Sequence, residues 1–226
     1  MSQCRILKKM FKVYYFKKLT STNEKAKEFP LNSVIIAHEQ TKGKGRFNRE
    51  WSSSKDGIYL SIVLPKISEP QLYTFIACLS ALKSIGIKEI KIKWPNDLIY
   101  KKKKLCGILT ESNSKKTIVG IGINTNNKVP SSLKAISLNQ ISNKRINNNP
   151  IIKKLLTHFE KYLKKSKKEI ISDWKKHSFL GSKIKVRTLS ETYSGTAYDI
   201  DKDYFLILKD KKGKKITIIE GDILIE

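Results

Sequence analysis

The chain has 226 residues, with 46 Lys and Arg against 20 Asp and Glu, and a formal net charge of +26 at pH 7. This length fits one large domain, or one domain with a small companion, and a hydrophobic content of 39% is ordinary for a protein with a real core. No apolar run approaches the length of a membrane span. Cys4, Cys78 and Cys106 are too few and too far apart for a disulfide framework or a metal motif, which indicates a reducing, cytoplasmic setting.

The large positive charge has two interpretations. It fits an acidic partner, such as nucleic acid, a phosphorylated ligand or an acidic protein surface. It also fits compositional drift, because lysines occur along the whole chain without a single basic block. Drift is the favoured interpretation for most of the charge, since a dedicated nucleic-acid site would cluster it on one element.

The N-terminal part is predicted to contain two strands, at Lys12–Phe16 and Ser33–Glu39, separated by a helix. Ser21 followed by Glu24 has the spacing of a capping box, so the helix is predicted over Thr22–Phe29 and ends at Pro30. Three small hydrogen-bonding residues, Ser21, Thr22 and Asn23, stand together at the turn before this helix. Such a turn also suits the binding of a small polar group.

A basic, glycine-containing loop follows the second strand and extends from Gln40 to Trp51. It carries Gly43 and Gly45 together with four cationic side chains. A loop of this kind offers backbone N–H groups and positive charge to an anion. The alternative from composition alone is a solvated surface loop.

The middle of the chain is predicted to alternate strands with one core helix that begins at Pro70. The strand at Gly57–Pro65 is apolar on both faces, so it is predicted to be central. A strand at Lys88–Trp94 leads into Lys93-Trp94-Pro95-Asn96-Asp97, where Pro95 places Asn96 and Asp97 at a strand end. The next elements are a short strand at Leu98–Tyr100, a turn at Lys101–Lys104 and a return strand at Leu105–Glu111.

Glycines interrupt two of the predicted strands. Gly107 lies in the return strand, and Gly120 and Gly122 lie on one face of the following strand, Thr117–Asn124. Glycine where a side chain is expected indicates close approach by a ligand or another backbone. Two such strands side by side predict a flat slot beneath the surface of the sheet.

The C-terminal part divides near Gly181. Residues 126–149 are predicted to be a loop or a short helix, followed by an amphipathic helix from Pro150 and a shorter helix with Trp174, which is expected to fill the junction with the last domain. Five short strands then predict a small SH3-like barrel. The predicted domains are therefore 1–180 and 181–226, and the predicted strands of the second are Lys183–Thr188, Thr192–Asp199, Tyr204–Leu208, Lys215–Ile219 and Ile223–Ile225.

Four motifs occur in a fixed order: Ser21-Thr22-Asn23, the loop Gln40 to Trp51, Lys93 to Asp97 followed by Lys104 to Glu111, and Gly120 to Asn124. Together they resemble the biotin protein ligases, whose catalytic module also occurs in the biotin operon repressor. The resemblance covers nearly the whole chain. It implies an α+β fold of the class II synthetase-like kind, with a mixed or antiparallel sheet flanked by helices and a small C-terminal barrel.

The resemblance implies a two-step reaction that uses ATP, biotin and Mg²⁺. Biotin attacks the α-phosphate of ATP to give biotinyl-5′-AMP, and a lysine of a biotin carboxyl carrier protein then accepts the biotin. The implied catalytic residues are Lys104, Arg46 and Asp97, and Asp97 is also the candidate Mg²⁺ ligand. The implied biotin-binding residues are Ser21, Thr22, Asn23, Gln40, Gly43, Lys44, Gly45, Arg46, Lys104, Gly107, Leu109 and Gly120. The implied ATP- or adenylate-binding residues are Lys44, Arg46, Arg49, Trp51, Asn96 and Asn124.

The chain departs from the family pattern at two loop positions. Lys44 stands where arginine is usual, which keeps the charge but loses the bidentate geometry of a guanidinium. Asn48 stands where glycine is usual, and asparagine tolerates the left-handed region better than most residues. The loop is therefore expected to close.

Other functions remain open at this level. A lipoate– or octanoate–protein ligase shares the fold and the adenylate chemistry, and a nucleic-acid-binding regulator would suit the charge. Only about eleven residues precede the first predicted strand, too few for a helix-turn-helix domain, so no sequence-specific DNA binding is expected. Neither a membrane partner nor a particular carboxylase is indicated, and the resemblance allows a homodimer.

Overall fold

The computed structural model describes residues 10–224. Cys4 and the end of the last predicted strand, at Ile225, lie outside the described residues. Two β-sheets and five α-helices organise this range. Among the described residues, no helix is both long enough and apolar enough to cross a membrane.

The first sheet is mixed and has seven strands in the order β1-β2-β3-β7-β6-β5-β4. Strands β1 and β2 are parallel, and every other neighbouring pair of this sheet is antiparallel. Because β3, β6 and β7 are central, they carry the longest apolar stretches. The strands are β1 (Lys12–Phe16), β2 (Ser33–Ala37), β3 (Ile58–Pro65), β4 (Ile90–Lys93), β5 (Asp97–Tyr100), β6 (Lys103–Ser112) and β7 (Lys116–Ile123).

Helices cover one face of this sheet, while the other face is partly left for a site. Ile58, Leu60, Ile62 and Leu64 of β3 point into the main core with the helices α2 and α4. Val63 and Ile118 point to the opposite face, where the short helix α1 packs. The helices are α1 (Thr22–Ala26), α2 (Pro70–Lys83), α3 (Leu138–Ser142), α4 (Asn148–Tyr162) and α5 (Lys167–His177).

The capping box predicted at Ser21 and Glu24 is wrong. Ser21 makes no capping hydrogen bond, and Glu24 instead pairs with Lys27 at 2.7 Å and with Lys44. The hydrogen bonds from these two lysines lower the pKa of Glu24. Helix α1 ends at Ala26 rather than at Phe29, so it is a helix of only five residues within the connection between β1 and β2.

Other boundaries shift because of local backbone geometry. The lysine turn is confined to Lys101 and Lys102, which have φ values of 45° and 66°, so Lys103 and Lys104 belong to β6. Helix α4 begins at Asn148, before Pro150, because the side chain of Asn147 caps it by accepting from the Asn149 N–H at 3.1 Å.

The second sheet contains five antiparallel strands in the order β11-β10-β9-β8-β12. Its core side chains join the main core, and Trp174 is fully buried at the junction, edge-on to Tyr204 at 5.5 Å between ring centroids. The predicted role of Trp174 is confirmed. The strands are β8 (Lys183–Arg187), β9 (Thr192–Ile200), β10 (Leu206–Lys209), β11 (Lys215–Ile218) and β12 (Asp222–Leu224).

Tyr204 also ties the second sheet to the motif that follows β4. Its hydroxyl donates to the Pro95 carbonyl at 3.0 Å, and its own carbonyl accepts from Trp94 Nε1 at 2.9 Å. Asn96 and Asp97 are thereby held at the end of the first sheet that faces the second one.

Candidate active site

A cavity of about 290 Å³ opens on the face of the first sheet that the large helices leave uncovered. Except for Gly43, every residue predicted for the site lines it. Gly43 lies beside it, where a Cβ would be 2.5 Å from the Trp51 carbonyl oxygen, so this position requires glycine for close packing. The sequence motifs therefore converge on one cavity.

One wall of the cavity is a chain of partly buried hydrogen bonds around Gln40. The Gln40 Oε1 atom accepts from the Thr22 N–H at 2.7 Å and from the Thr22 hydroxyl at 3.1 Å. Its Nε2 donates to the Ser53 hydroxyl at 2.8 Å, and Ser53 donates to the Trp51 carbonyl at 2.8 Å. The first turn of α1 and the two ends of the basic loop are thus fixed to each other.

The same wall continues through Asn23. Its Oδ1 lies 2.6 Å from the hydroxyl of Ser61 in β3, and its Nδ2 donates to Glu111 Oε2 of β6 at 2.5 Å. Ser61 Oγ also lies 2.8 Å from Thr22 Oγ1 and is completely buried. We name Thr22, Asn23, Gln40, Ser53 and Ser61 the polar wall.

The glycines of β6 and β7 do provide close approach, but to protein side chains. Gly107 and Gly122 are register partners, and Cβ atoms there would lie 2.7 Å and 2.5 Å from the indole of Trp51. A Cβ at Gly120 would collide with Asn23. Trp51 and Asn23 therefore occupy part of the slot predicted at Gly107 and Gly120, while both glycines still line the cavity.

Trp51 closes the cavity over these glycines. The Nζ of Lys104 lies 5.0 Å from the ring centroid, within range of a cation–π contact. Among residues 10–224, the buried Nε1–H of Trp51 finds no hydrogen-bond partner. An orphaned buried donor costs free energy, and this Nε1 lies against the sheet, where a Cβ at Gly122 would be 2.5 Å from it.

A second wall of the cavity is ionic. Lys104 Nζ lies 2.7 Å from Asp97 Oδ1, across the paired strands β6 and β5. Arg49 Nη2 lies 2.6 Å from Asp222 Oδ2, and Arg46 Nη1 lies 4.0 Å from Asp222 Oδ1. We name Arg46, Arg49, Asp97, Lys104 and Asp222 the ionic wall. Burial lowers the pKa of Arg46, while the carboxylates of Asp222 and Asp97 act against that shift.

The basic loop is ordered by its own backbone. Trp51 N–H donates to the Gly43 carbonyl at 2.9 Å and Gly45 N–H to the Arg49 carbonyl at 2.7 Å, so the loop is a small hairpin. Phe47 and Asn48 at its tip both have φ of 55°. The expectation that Asn48 accommodates left-handed backbone is confirmed. Lys44 points to the rim, where it is 47% exposed and pairs with Glu24.

Two predicted side chains are already engaged by the protein. The side-chain Nδ2 of Asn96 donates to the Ile108 carbonyl at 3.1 Å, and the side-chain Oδ1 of Asn124 accepts from Asn127 Nδ2 at 3.0 Å. Both residues line the cavity, and these hydrogen bonds fix the orientation of their side chains.

No sequence motif predicted that Ser53, Ser61, Asp222 and one further segment belong to the site. Lys104 N–H donates to the Lys134 carbonyl and Ile136 N–H to the Lys104 carbonyl, both at 2.9 Å, which brings this segment to the cavity. This adds a short parallel bridge beside Lys104. The lining residues are Val129, Pro130, Leu133, Lys134 and Ala135. The only features of the sequence that could have indicated packing of this segment were its isolated apolar residues Leu133 and Ile136.

Residues 13–126 match the biotin/lipoate A/B protein ligase family, and residues 179–225 match the biotin protein ligase C terminal domain. The chain belongs to this ligase family. It is 34% identical to the bifunctional ligase/repressor BirA of Bacillus subtilis (strain 168), over 92% of this chain and 72% of that protein. It is 28% identical to the biotin–[acetyl-CoA-carboxylase] ligase of Mycobacterium tuberculosis, over 84% of this chain and 78% of that protein.

Solved structures of the ligase family have the same architecture. The biotin protein ligase from Aquifex aeolicus in complex with biotin and ATP superposes with a TM-score of 0.84 at 29% identity, over 94% of this chain and 97% of that one. The fold expected from the motifs, a mixed sheet flanked by helices with a small antiparallel C-terminal domain, is confirmed.

Proposed function

We propose that this ligase activates biotin with ATP as biotinyl-5′-AMP and transfers it to a lysine of a biotin carboxyl carrier protein. The observation that carries the proposal is the meeting of a buried polar wall and an ionic wall across one cavity, with Trp51 between them. The polar wall suits a neutral, hydrogen-bonding ring system such as that of biotin, and the ionic wall suits a polyanion such as the phosphates of ATP. Its relatives include biotin ligases and a structure with biotin and ATP bound.

The polar wall is assigned to the ureido ring of biotin. A ureido group offers one carbonyl and two N–H donors, so it requires both donors and acceptors. Ser21, Thr22 and Gln40 supply both kinds and line the cavity side by side. Asn23 and Ser61 support this wall from behind, since they are nearly inaccessible to solvent. Leu109 and the Trp51 indole supply apolar contact for the rings.

The ionic wall is assigned to the first chemical step. A carboxylate oxygen of biotin bonds to the α-phosphorus, the bond to the bridging oxygen breaks, and pyrophosphate leaves. Two anions must approach each other, which costs electrostatic free energy. Lys104 and Arg46 offset this repulsion, and one such contact supplies about 3–4 kcal/mol of transition-state stabilisation. Their side chains are 34% and 22% exposed, so solvent screens them only in part.

Asp97 is assigned to positioning Lys104 and receiving the carrier lysine. Its carboxylate is 14% exposed and holds Lys104 at 2.7 Å. In the second step the amine of the carrier lysine attacks the carbonyl carbon of the mixed anhydride, and AMP leaves. An anionic group at this place attracts the incoming amine and orients it.

Mg²⁺ is part of the proposal as a companion of ATP. Among the described residues, no cluster of three or more His, Cys, Asp or Glu side chains is placed to hold a metal ion. Mg²⁺ needs only one or two carboxylates when phosphates supply the remaining ligands, so Asp97 suits this arrangement. When bound, the ion would neutralise charge on the phosphates.

Lipoate and octanoate are the competing substrates, because the matching family includes lipoate ligases. The match of residues 179–225 to the biotin protein ligase C terminal domain favours biotin. ATP–pyrophosphate exchange tests this: we expect exchange with biotin and background exchange with lipoate or octanoate. Exchange restricted to lipoate or octanoate would overturn the proposal.

The carrier step needs its own experiment. A carboxyl carrier domain incubated with the ligase, biotin and ATP should become detectable on a streptavidin blot. A carrier whose acceptor lysine is replaced by alanine is the matched control. Biotin-dependent exchange without labelling of the carrier would support activation but contradict transfer.

Three further expectations belong to this proposal. A cytoplasmic location fits Cys78 and Cys106, which are buried free thiols. We expect no sequence-specific DNA binding, and a sequence-specific DNA footprint at moderate salt would contradict this expectation. A homodimer would be detected by sedimentation equilibrium.

A further inference from the structure

The second sheet contributes a residue to the ionic wall. Asp222, the first residue of β12, holds Arg49 at 2.6 Å and lies 4.0 Å from Arg46. The neighbouring Gly221 carbonyl accepts from Arg46 Nη1 at 3.4 Å. The basic loop therefore has contacts with a strand that lies more than 170 residues further along the chain.

The position of Asp222 is fixed by its own sheet. Asp222 is the register partner of Arg187 in β8, and the next residue, Ile223, is buried in the core. A Cβ at Gly221 would lie 2.9 Å from the Arg187 carbonyl oxygen, so glycine allows β12 to approach β8 at this point. The carboxylate of Asp222 is therefore held in place by a strand that is packed into the second sheet.

The two arginines are close together and need a counterion. Arg46 Cζ lies 4.6 Å and Arg49 Cζ 5.7 Å from the centroid of the Phe47 ring, so both guanidinium groups gather at one aromatic side chain. Like charges at this spacing repel each other. Arg46 is only 22% exposed, which makes an uncompensated charge there more costly than on an open surface.

Charge balance gives the carboxylate a specific purpose. The ionic wall has three cations, Arg46, Arg49 and Lys104, and two carboxylates, Asp97 and Asp222, which leaves one net positive charge for an anionic ligand. Arg49 is 61% exposed and would otherwise sample solvent. Holding both arginines before the ligand arrives removes part of the entropy cost of binding.

We propose that Asp222 is a positioning residue through which the second sheet holds Arg46 and Arg49 ready for the phosphates of ATP. The proposal rests on the proposed function for the identity of the anion. It makes the C-terminal domain part of the nucleotide site without a direct contact to the reacting atoms.

The test replaces Asp222 by the nearly isosteric asparagine. In biotin-dependent ATP–pyrophosphate exchange, Asp222→Asn should raise the KM for ATP about tenfold, within the range of coupling between sites, and change kcat much less. Asp222→Glu should restore most of the affinity. Asp199→Asn is the matched control, because Asp199 lies in the same sheet but pairs with Lys175 of α5 at 2.7 Å. A KM within twofold of wild type, or an equal shift in Asp199→Asn, would overturn the proposal.

A second measurement does not depend on activity. The chain has five arginines, Arg5, Arg46, Arg49, Arg145 and Arg187, so an arginine-specific protease reports on the loop selectively. Asp222→Asn should be cut faster after Arg46 and Arg49 than wild type or Asp199→Asn, with cleavage after Arg145 as the internal reference. Unchanged cleavage would contradict the role of Asp222. If wild type shows no biotin-dependent exchange, the proposed function fails, and the protease result still decides the role of Asp222.

Discussion

The polar wall and the ionic wall of the cavity are built by different kinds of interaction. Thr22 and Asn23 of α1 and Ser61 of β3 are at most 4% exposed and are joined by hydrogen bonds where the helix packs on the first sheet. Arg46, Arg49 and Asp222 are partly exposed and are joined by ion pairs between a loop and the second sheet. A buried, satisfied hydrogen-bond network is rigid, whereas partly exposed ion pairs are weaker and screened by salt.

This difference separates recognition from chemistry. All residues of the polar wall and their partner in β6 belong to the first sheet or to the segments between its first strands, so the wall forms when that sheet folds. The ionic wall needs the loop, β5, β6 and β12 to come together. Changes in the polar wall should therefore reduce stability and biotin affinity. Loss of Lys104 or Arg46 from the ionic wall should reduce turnover with little loss of stability, and loss of Asp222 should weaken ATP binding.

Lys104→Ala should produce the largest effect and is the strongest test of the ionic wall. Removing a half-buried cation from the site of charge development should lower kcat of pyrophosphate exchange by about 10²–10³-fold. Lys103→Ala is the matched control, because Lys103 is the preceding residue of β6 and is exposed. Undiminished exchange by Lys104→Ala, or an equal loss in Lys103→Ala, would contradict the assigned role of Lys104 in the first chemical step.

Much of the fold follows from periodicity. The strand at Gly57–Pro65, apolar on both faces, was predicted to be central, and β3 lies between β2 and β7 in the first sheet. The helix cap at Ser21 was wrong because Ser21 is 2% exposed at the cavity, so tertiary placement overrides a local capping preference. The predicted turn, Lys101–Lys104, was two residues too wide. Only Lys101 and Lys102 have positive φ, which lysine rarely adopts, so four consecutive lysines do not indicate which two form the turn.

The site was predictable where motifs are local and unpredictable where contacts are distant. Short motifs located Thr22, Gln40, Arg46 and Lys104 in one cavity. They did not reveal that Trp51 occupies the space above Gly107, because glycine indicates close approach without identifying the partner. The contact between Asp222 and Arg49 could not be predicted, because no pattern in a single sequence links two residues so far apart.

Gly122→Ala should produce an intermediate effect, because it acts where the two walls meet. The new methyl group would lie 2.5 Å from the Trp51 indole and force it off the sheet. We expect a loss of about 1–3 kcal/mol in the free energy of unfolding and roughly tenfold in kcat/KM of exchange. Trp94 and Trp174 are at most 1% exposed, so a red shift of tryptophan emission would report on Trp51.

The double variant Gly122→Ala/Trp51→Ala isolates this contact. With the indole absent, the methyl group has space, so the double variant should match Trp51→Ala alone. Strictly additive losses in exchange would mean that Gly122 acts through something other than Trp51.

Ser61→Ala should produce the smallest effect and probes the polar wall from behind. Its hydroxyl lies 2.6 Å from Asn23 Oδ1 and 2.8 Å from Thr22 Oγ1, and both partners are buried. Losing it should lower the free energy of unfolding in urea by about 1–3 kcal/mol, because buried polar atoms are left unsatisfied. The KM for biotin should rise while kcat changes little. Ser112→Ala is the control, because Ser112 meets Thr117 at 3.0 Å at the exposed end of β6 and should change stability by less than about 0.5 kcal/mol. If Ser61→Ala lowers kcat and leaves the KM for biotin unchanged, the division between a recognition wall and a chemical wall is wrong.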